Sequence, residues 1–259
     1  DPSVLGSDGA ANVATIRALM AQEIKVYHSQ TQVDLLQSTL VGLAYDADVV
    51  LDLHCDEKAV MHTYTLPQLW ERAEPLARYL GSECQMLSEN SGSNAFDEFL
   101  STIWLRLSRE FPQANIPLAC FSTTVELRGE GDLQHEQAQT DAQAIVQYLA
   151  HIGAIELDEQ AIKPMPALIR APNPLSGLAY VLAPTAGIVV YHVHAGETVT
   201  KGQLLADIID PLHQICTPVH APTDGFVYAT HHANFAQQGV TLVSVSGSTD
   251  LGLGDALGP

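Results

Sequence analysis

The chain has 259 residues, 46% of them apolar and 16% charged, which gives room for one large or two ordinary cores and excludes a disordered chain. Eleven Lys and Arg against thirty Asp and Glu give a formal charge of −19. Such a field repels nucleic acid and anionic lipid, so neither nucleic acid nor membrane is an expected partner.

No apolar run reaches the ~18–20 residues of a membrane span. Cys55, Cys84, Cys120 and Cys216 are widely spaced with no C-x-x-C pair, the pattern of incidental thiols in a reducing, cytoplasmic compartment. The chain opens on Asp1 without a Met. An upstream segment is therefore expected, and the absence of a targeting signal carries no weight.

In chain order, residues 10–28 and 31–45 are rich in Ala, Leu and Gln and read as helices. Val49–His54 is a short continuous apolar run, as expected of a strand covered on both faces. Pro67–Leu80 reads as a helix stopped by Gly81, and Cys84–Leu87 as a weak strand. Asn94-Ala95-Phe96-Asp97 has the form of an N-cap with an acid at the third helical position, opening a helix to about Arg109. Pro117–Leu127 reads as a strand and Asp132–Ile152 as a helix ended by Gly153. Strands alternating with helices predict an α/β fold with a mostly parallel sheet flanked by helices.

The texture changes after Lys163-Pro164-Met165-Pro166. Residues 164–246 hold short Val- and Ile-rich runs with Gly and Pro turns and no helical period, which predicts a smaller all-β domain after an α/β domain spanning residues 1–163. The β segment repeats itself. Ala183-Pro184-Thr185-Ala186-Gly187-Ile188-Val189 returns 38 residues later as Ala221-Pro222-Thr223-Asp224-Gly225-Phe226-Val227, and Gly202-Gln203-Leu204-Leu205 returns 37 residues later as Gly239-Val240-Thr241-Leu242. Two copies too small to bury their own faces are expected to pack into one barrel or sandwich. Residues 247–259, rich in Gly and Ser, read as a tail.

Two strands end in residues able to do chemistry. Val49–His54 ends in His54, and Val125-Glu126-Leu127 carries Glu126. Ligands of open α/β sheets bind outside the carboxyl ends of the strands, so His54 reads as a metal ligand and Glu126 as a general base. Strand alternation puts Asp52 on the face of His54, where it either orients the imidazole or holds loop backbone. His54-Cys55-Asp56-Glu57 also spells H-x-x-E. On a helical turn that spacing builds a carboxypeptidase-like site from His54, Glu57 and His135, with Glu126 or Glu130 as base.

Alternation further places Arg128 on the face of Glu126, either as its ion-pair partner, as a partner of Glu130, or as a grip for a substrate carboxylate. His62 and Tyr64 share a face if extended and are candidates to line the pocket. Asp97 and Glu98 stand at a helix start, where acids are favourable without any function. As pocket residues they suit a substrate with an ammonium group. His192, His194, His231 and His232 of the β segment read as exposed strand histidines, or as pairs able to bind an adventitious metal.

Asp52-Leu53-His54-Cys55-Asp56, running on to Met61-His62-Thr63-Tyr64, resembles the second-histidine segment of the succinylglutamate desuccinylase/aspartoacylase family, whose members resemble zinc carboxypeptidases. Thr124-Val125-Glu126-Leu127 resembles that family's catalytic-glutamate strand, and Ala183–Ile208 with Ala221–Val245 its lipoyl-like β domain. The resemblance implies a zinc-dependent hydrolase of small N-acyl amino acids, with His54 as the third protein ligand of one Zn2+ and Glu126 as base. The family's first two ligands come from an earlier H-x-x-E, and an Asn-Arg segment binds the substrate carboxylate. Neither precedes His54 here. The missing ligands are expected upstream of Asp1; the alternative is a metal-free binding or scaffold member of the family. True lipoyl domains carry a modified lysine between their halves, whereas Lys201 lies inside the first half, so no covalent cofactor is expected. The β segment is expected to shape the pocket mouth or to form a homo-oligomer contact.

Overall fold

The computed structural model describes residues 2–92 and 95–252. The expected cap residue Asn94 and residues 253–259 of the expected tail lie outside the described residues. Helix α1 (Gly9–Val26) starts where the Asp8 carboxylate accepts from Ala10 N and Ala11 N. Helix α2 (Gln32–Ala44) starts where the Thr31 hydroxyl accepts from Asp34 N. These contacts satisfy donors that the first helical turn cannot pair.

Strands β1 (Val49–Asp56), β2 (Lys58–Ala59) and β3 (Met61–Thr65) follow, then helix α3 (Trp70–Leu80), strand β4 (Cys84–Leu87), helix α4 (Phe96–Glu110), strand β5 (Phe121–Gly129), helix α5 (His135–His151) and the short strand β6 (Asn173–Pro174). The expected strand from Pro117 begins only at Phe121. Helix α3 ends at Gly81, which adopts a left-handed φ of 66° and so closes the helix without a Cβ penalty.

The first sheet has the order β1-β5-β3-β4-β6. Its β1–β5, β3–β4 and β4–β6 pairs are parallel, as the alternating elements predict, but β3 runs antiparallel to β5. The reversal has a simple cause. Only four residues separate β1 from β3, and a parallel return needs a crossover of a dozen or more.

Alternation sorts the sheet's two faces. Val49, Leu51, Phe121 and Val125 share a core with Ala73, Leu76 and Tyr148 of α3 and α5. Val50 packs on the other face with Leu100 and Trp104 of α4 and Ile16 of α1. Asp52, His54, Ser122, Thr124 and Glu126 therefore point toward the α4 side. Along this face the β4 end is covered by the β segment, where Met86 and Tyr64 pack with Phe226 and Tyr228.

The β segment comprises β7 (Leu178–Leu182), β8 (Gly187–Tyr191), β9 (Thr198–Val199), β10 (Leu204–Asp210), β11 (Ile215–His220), β12 (Gly225–Thr230), β13 (Phe235–Ala236) and β14 (Thr241–Ser246). Strands β7–β10 form one copy of the repeat and β11–β14 the other, and the copies exchange strands. One sheet runs β11-β10-β8-β13; the second holds β12 and β14 flanked by β7, with β9 on β12. The shared core is built from equivalent positions: Val189 with Val227, Leu205 with Leu242, and Ile208 with Val245 are all fully buried.

The repeated glycines have physical reasons. A Cβ on Gly187 would lie 2.6 Å from Ile209 O, and one on Gly225 2.7 Å from Ser246 O. Gly202 and Gly239 turn the chain with φ of 85° and 87°. Sheet edges are shared between the halves of the chain. Strand β2 pairs with β12, and β6 with β4.

Candidate active site

His54 and Glu126 are partners in the parallel β1–β5 ladder, so their side chains leave the same face side by side at the carboxyl ends of both strands. Both line a cavity of about 260 Å³, together with Tyr64, Ser122, Thr124, Asp97 and Glu98. Helix α4 supplies the acids from its first turn, and Ser101 Oγ one turn on anchors the helix by donating to Ser122 O at 3.2 Å.

His54 is half-exposed, and its Nε2 lies 3.1 Å from Asp52 Oδ2. Asp52 therefore sits beside the imidazole, on the face that alternation gives both residues, and with Nε2 turned toward it Nδ1 is the nitrogen left to face a metal. Glu126 is largely enclosed, and its Oε2 is buried without a hydrogen-bond partner among the described residues. Burial pushes its carboxyl up to about 7; His54 opposes this shift, and the neighbouring Asp56 and Asp52 add to it. A carboxyl that exchanges its proton near neutrality is suited to general base work.

Asp97 is buried, and its Oδ2 accepts from Thr124 N at 3.1 Å. Burial raises its carboxyl to about 6 against that hydrogen bond, with Asp52 and Glu98 contributing further. Glu98 accepts from Ser91 N through both carboxylate oxygens. Among the described residues, the cavity lining contains these acids and His54 but no Arg or Lys.

Tyr64 lines the cavity, whereas His62 lies outside it, fully buried against Tyr64 and Tyr228. His62 Nδ1 donates to Val60 O at 2.8 Å, and its Nε2 has no hydrogen-bond partner, with Asp56 Oδ2 at 3.9 Å. Burial lowers its pKa and keeps the ring neutral.

Arg128 also lies outside the cavity, and it pairs with neither Glu126 nor Glu130. Its guanidinium donates to both carboxylate oxygens of Asp141 in α5, at 2.8 and 3.0 Å. The alternation that would put Arg128 beside Glu126 fails because Arg128 has a φ of 70° and the β1–β5 register shifts beyond His54.

The H-x-x-E spelling does not form a site with His54. Residues 54–56 are extended strand, not a helical turn. Glu57 instead accepts from His231 Nδ1 at 2.7 Å, and its other oxygen lies 3.3 Å from His232 Nδ1. Among the described residues this trio is the one group of three metal-capable side chains in mutual reach, and it includes neither His54 nor His135. Of the two sequence readings of His231 and His232, exposed strand residues or a pair able to bind metal, the fold adds to the second a carboxylate partner, Glu57. Ser122 and Thr124 of the cavity were not singled out from the sequence, although counting back by twos from Glu126 reaches both, whereas Asp97 and Glu98, read as possible pocket residues, do line it.

No protein-family model matches the chain, and no curated protein matches it. Solved structures do match, and those cited here are succinylglutamate desuccinylase/aspartoacylase family proteins, as the His54 and Glu126 segments suggested. One from Shewanella amazonensis SB2B superimposes with a TM-score of 0.81 at 25% identity, covering 92% of this chain and 66% of its own. A second, from Shewanella frigidimarina NCIMB 400, gives 0.76 at 23% identity over 92% of this chain and 65% of its own. A third, from Rhodobacter sphaeroides, gives 0.62 at 17% identity over 86% of this chain and 66% of its own. The chain thus spans just under two thirds of the length of these structures.

Proposed function

We propose that this chain carries the base-bearing part of a zinc-dependent amidohydrolase active site that cleaves small N-acyl amino acids, a deacylase of the succinylglutamate desuccinylase/aspartoacylase kind. The observation that carries this reading is the register of His54 against Glu126 at the mouth of an acidic cavity, with Glu126 buried and titrating near neutrality. The fold of the matched structures supports it.

The residues fit one corner of a zinc site: an imidazole at a strand end, half-exposed, with a carboxylate behind it. Two further ligands are required to complete it. A zinc ion held there would polarise the scissile carbonyl and acidify the attacking water.

Glu126 takes a proton from that water as its oxygen bonds to the acyl carbon, and passes the proton to the nitrogen as the C–N bond breaks. The products are a carboxylic acid and a free amine. Its partnerless Oε2 is the atom placed to hold that proton. Asp52 keeps His54 in one tautomer.

The lining acids and the lack of Arg or Lys favour a substrate bearing an ammonium group, such as an N-acetylated diamino acid, over succinyl or aspartyl substrates. We further read residues 164–246 as a β domain bordering the cavity or forming a homo-oligomer contact, and the protein as cytoplasmic. Among the described residues no helix is long and apolar enough to cross a membrane.

The test uses the full-length protein with N-acetyl, N-succinyl and N-aspartyl amines as substrates and zinc content as a second readout. Hydrolysis fastest on the acetylated cationic amine, with zinc lost in His54→Ala, is the expected result. A zinc stoichiometry unchanged in His54→Ala removes the ligand assignment, and a protein with neither zinc nor hydrolysis is the metal-free binding member.

A further inference from the structure

We propose that Glu57, His231 and His232 form a second binding site, for a divalent transition-metal ion, that fastens the β1–β2 turn to the turn after β12. Two imidazoles and a carboxylate are a donor set that holds zinc-type ions and leaves one position open. Glu57 Oε2 and His231 Nδ1 are 2.7 Å apart, Glu57 Oε1 and His232 Nδ1 3.3 Å, and the three ligand atoms all lie within 4.8 Å of one another. Around a tetrahedral ion with bonds of ~2.1 Å, ligand atoms stand roughly 3.4 Å apart. The 3.3 Å contact is near this value and the 2.7 Å contact is shorter, each to a different oxygen of Glu57, and no pair in the ligand set is more than 4.8 Å apart, so small side-chain rotations are needed to close on an ion.

The backbone holds the three residues in place. Glu57 precedes β2, which pairs with β12 through Ala59 with Ala229 and Lys58 with Thr230, and the two histidines follow directly on β12. His231 N donates to Leu242 O at 2.9 Å, and His232 N donates to Glu57 Oε2 at 3.1 Å. The ligands are 174 residues apart in the chain, so their meeting is a product of the fold and not of a local turn.

The side chains of His231, Glu57 and His232 are 14%, 43% and 52% exposed. One flank therefore faces solvent, through which an ion can enter and a water can complete its shell. The charge of −19 attracts cations. Imidazole ligands select ions of the zinc, nickel and copper type over magnesium or calcium. The rival is a carboxylate that merely accepts two imidazole N–H bonds and binds no metal. This site shares no ligand with His54, so it stands or falls apart from the hydrolase reading.

The experiment titrates chelator-stripped full-length protein with Zn2+ by calorimetry, and with Co2+ by visible absorbance, which reports the ligand field. We expect His231→Ala, His232→Ala and Glu57→Gln each to lose one equivalent, or to weaken it by at least about tenfold, while His54→Ala keeps it. Zinc should also raise the Tm of the wild type through this site more than that of His232→Ala. Stoichiometry and affinity unchanged in His232→Ala and Glu57→Gln would overturn the proposal. His232 is half-exposed, so its variant is expected to fold even if His231→Ala does not, and circular dichroism checks this. If the His54 assignment is the one that fails, His54→Ala leaves total zinc unchanged while His232→Ala still lowers it.

Discussion

His54 and Glu126 occupy opposed positions on the parallel strands β1 and β5. They come from segments some seventy residues apart, yet the ladder fixes them side by side at the sheet's carboxyl edge. Asp52 backs the histidine, and the start of α4 roofs the glutamate. Strand positions hold such groups more rigidly than loops do, and rigidity is what proton transfer over hydrogen-bond distances demands.

Glu126→Gln keeps the shape of the side chain and removes the proposed base. Hydrolysis by the full-length protein is expected to fall about 10²–10⁴-fold in kcat with little change in KM. Burial of the ionised form raises the Glu126 carboxyl to about 7, so the proposed base acts in its deprotonated form. The pH profile of kcat/KM should rise through pH 7 and lose that limb in the glutamine variant. A limb that stays in the variant assigns the base elsewhere.

Asp97→Asn is expected to stabilise the protein at pH 8. The folded Asp97 carboxyl sits at about 6, above its ordinary value of 3.8. The folded state therefore holds the Asp97 proton more tightly than the unfolded chain does. Its ionised form destabilises the fold above pH 6, and this penalty disappears as pH falls toward 3.8. Urea melts at pH 8 should show a gain of about 1–3 kcal/mol that shrinks at pH 4. The amide oxygen can still accept from Thr124 N.

Arg128→Ala breaks the two-point pair with Asp141, whose side chain is 11% exposed. Chemical denaturation should show a loss of about 1–3 kcal/mol. Because the guanidinium lies outside the cavity, KM for an N-acyl substrate should stay unchanged. A raised KM without loss of stability would return Arg128 to the substrate site.

Gly225→Ala drives a Cβ against Ser246 O at 2.7 Å and Val245 Cγ1 at 2.6 Å, and Gly187→Ala drives one against Ile209 O at 2.6 Å. Each is expected to cost about 1–3 kcal/mol by overpacking, read from shifted denaturation midpoints. The two sites are equivalent under the internal repeat, so their penalties should be similar. Gly131→Ala, which meets nothing within 4 Å, is the control.

Much of this protein is legible locally. Helices over 9–26, 32–44 and 135–151 follow from composition, the strand Cys84–Leu87 from its flanks, and the two β copies from their glycines. Strand alternation alone puts Asp52 beside His54. Each of these depends on neighbours within a turn or a strand, where side-chain size, branching and backbone freedom act directly.

Other features depend on distance along the chain. The reversal of β3 follows from a short connection that no residue type marks. The left-handed φ of Arg128 turned a presumed partner of Glu126 toward α5, and no local rule predicts that conformation for an arginine. Glu57, spelled as a partner of His54, instead meets His231 and His232 because β2 adds to β12. The sequence by itself determined which residues are able to do chemistry and that Asp52 and His54 share a strand face. Only the tertiary structure decided which of them meet, because long-range ladder register and backbone reversals depend on the whole packed chain.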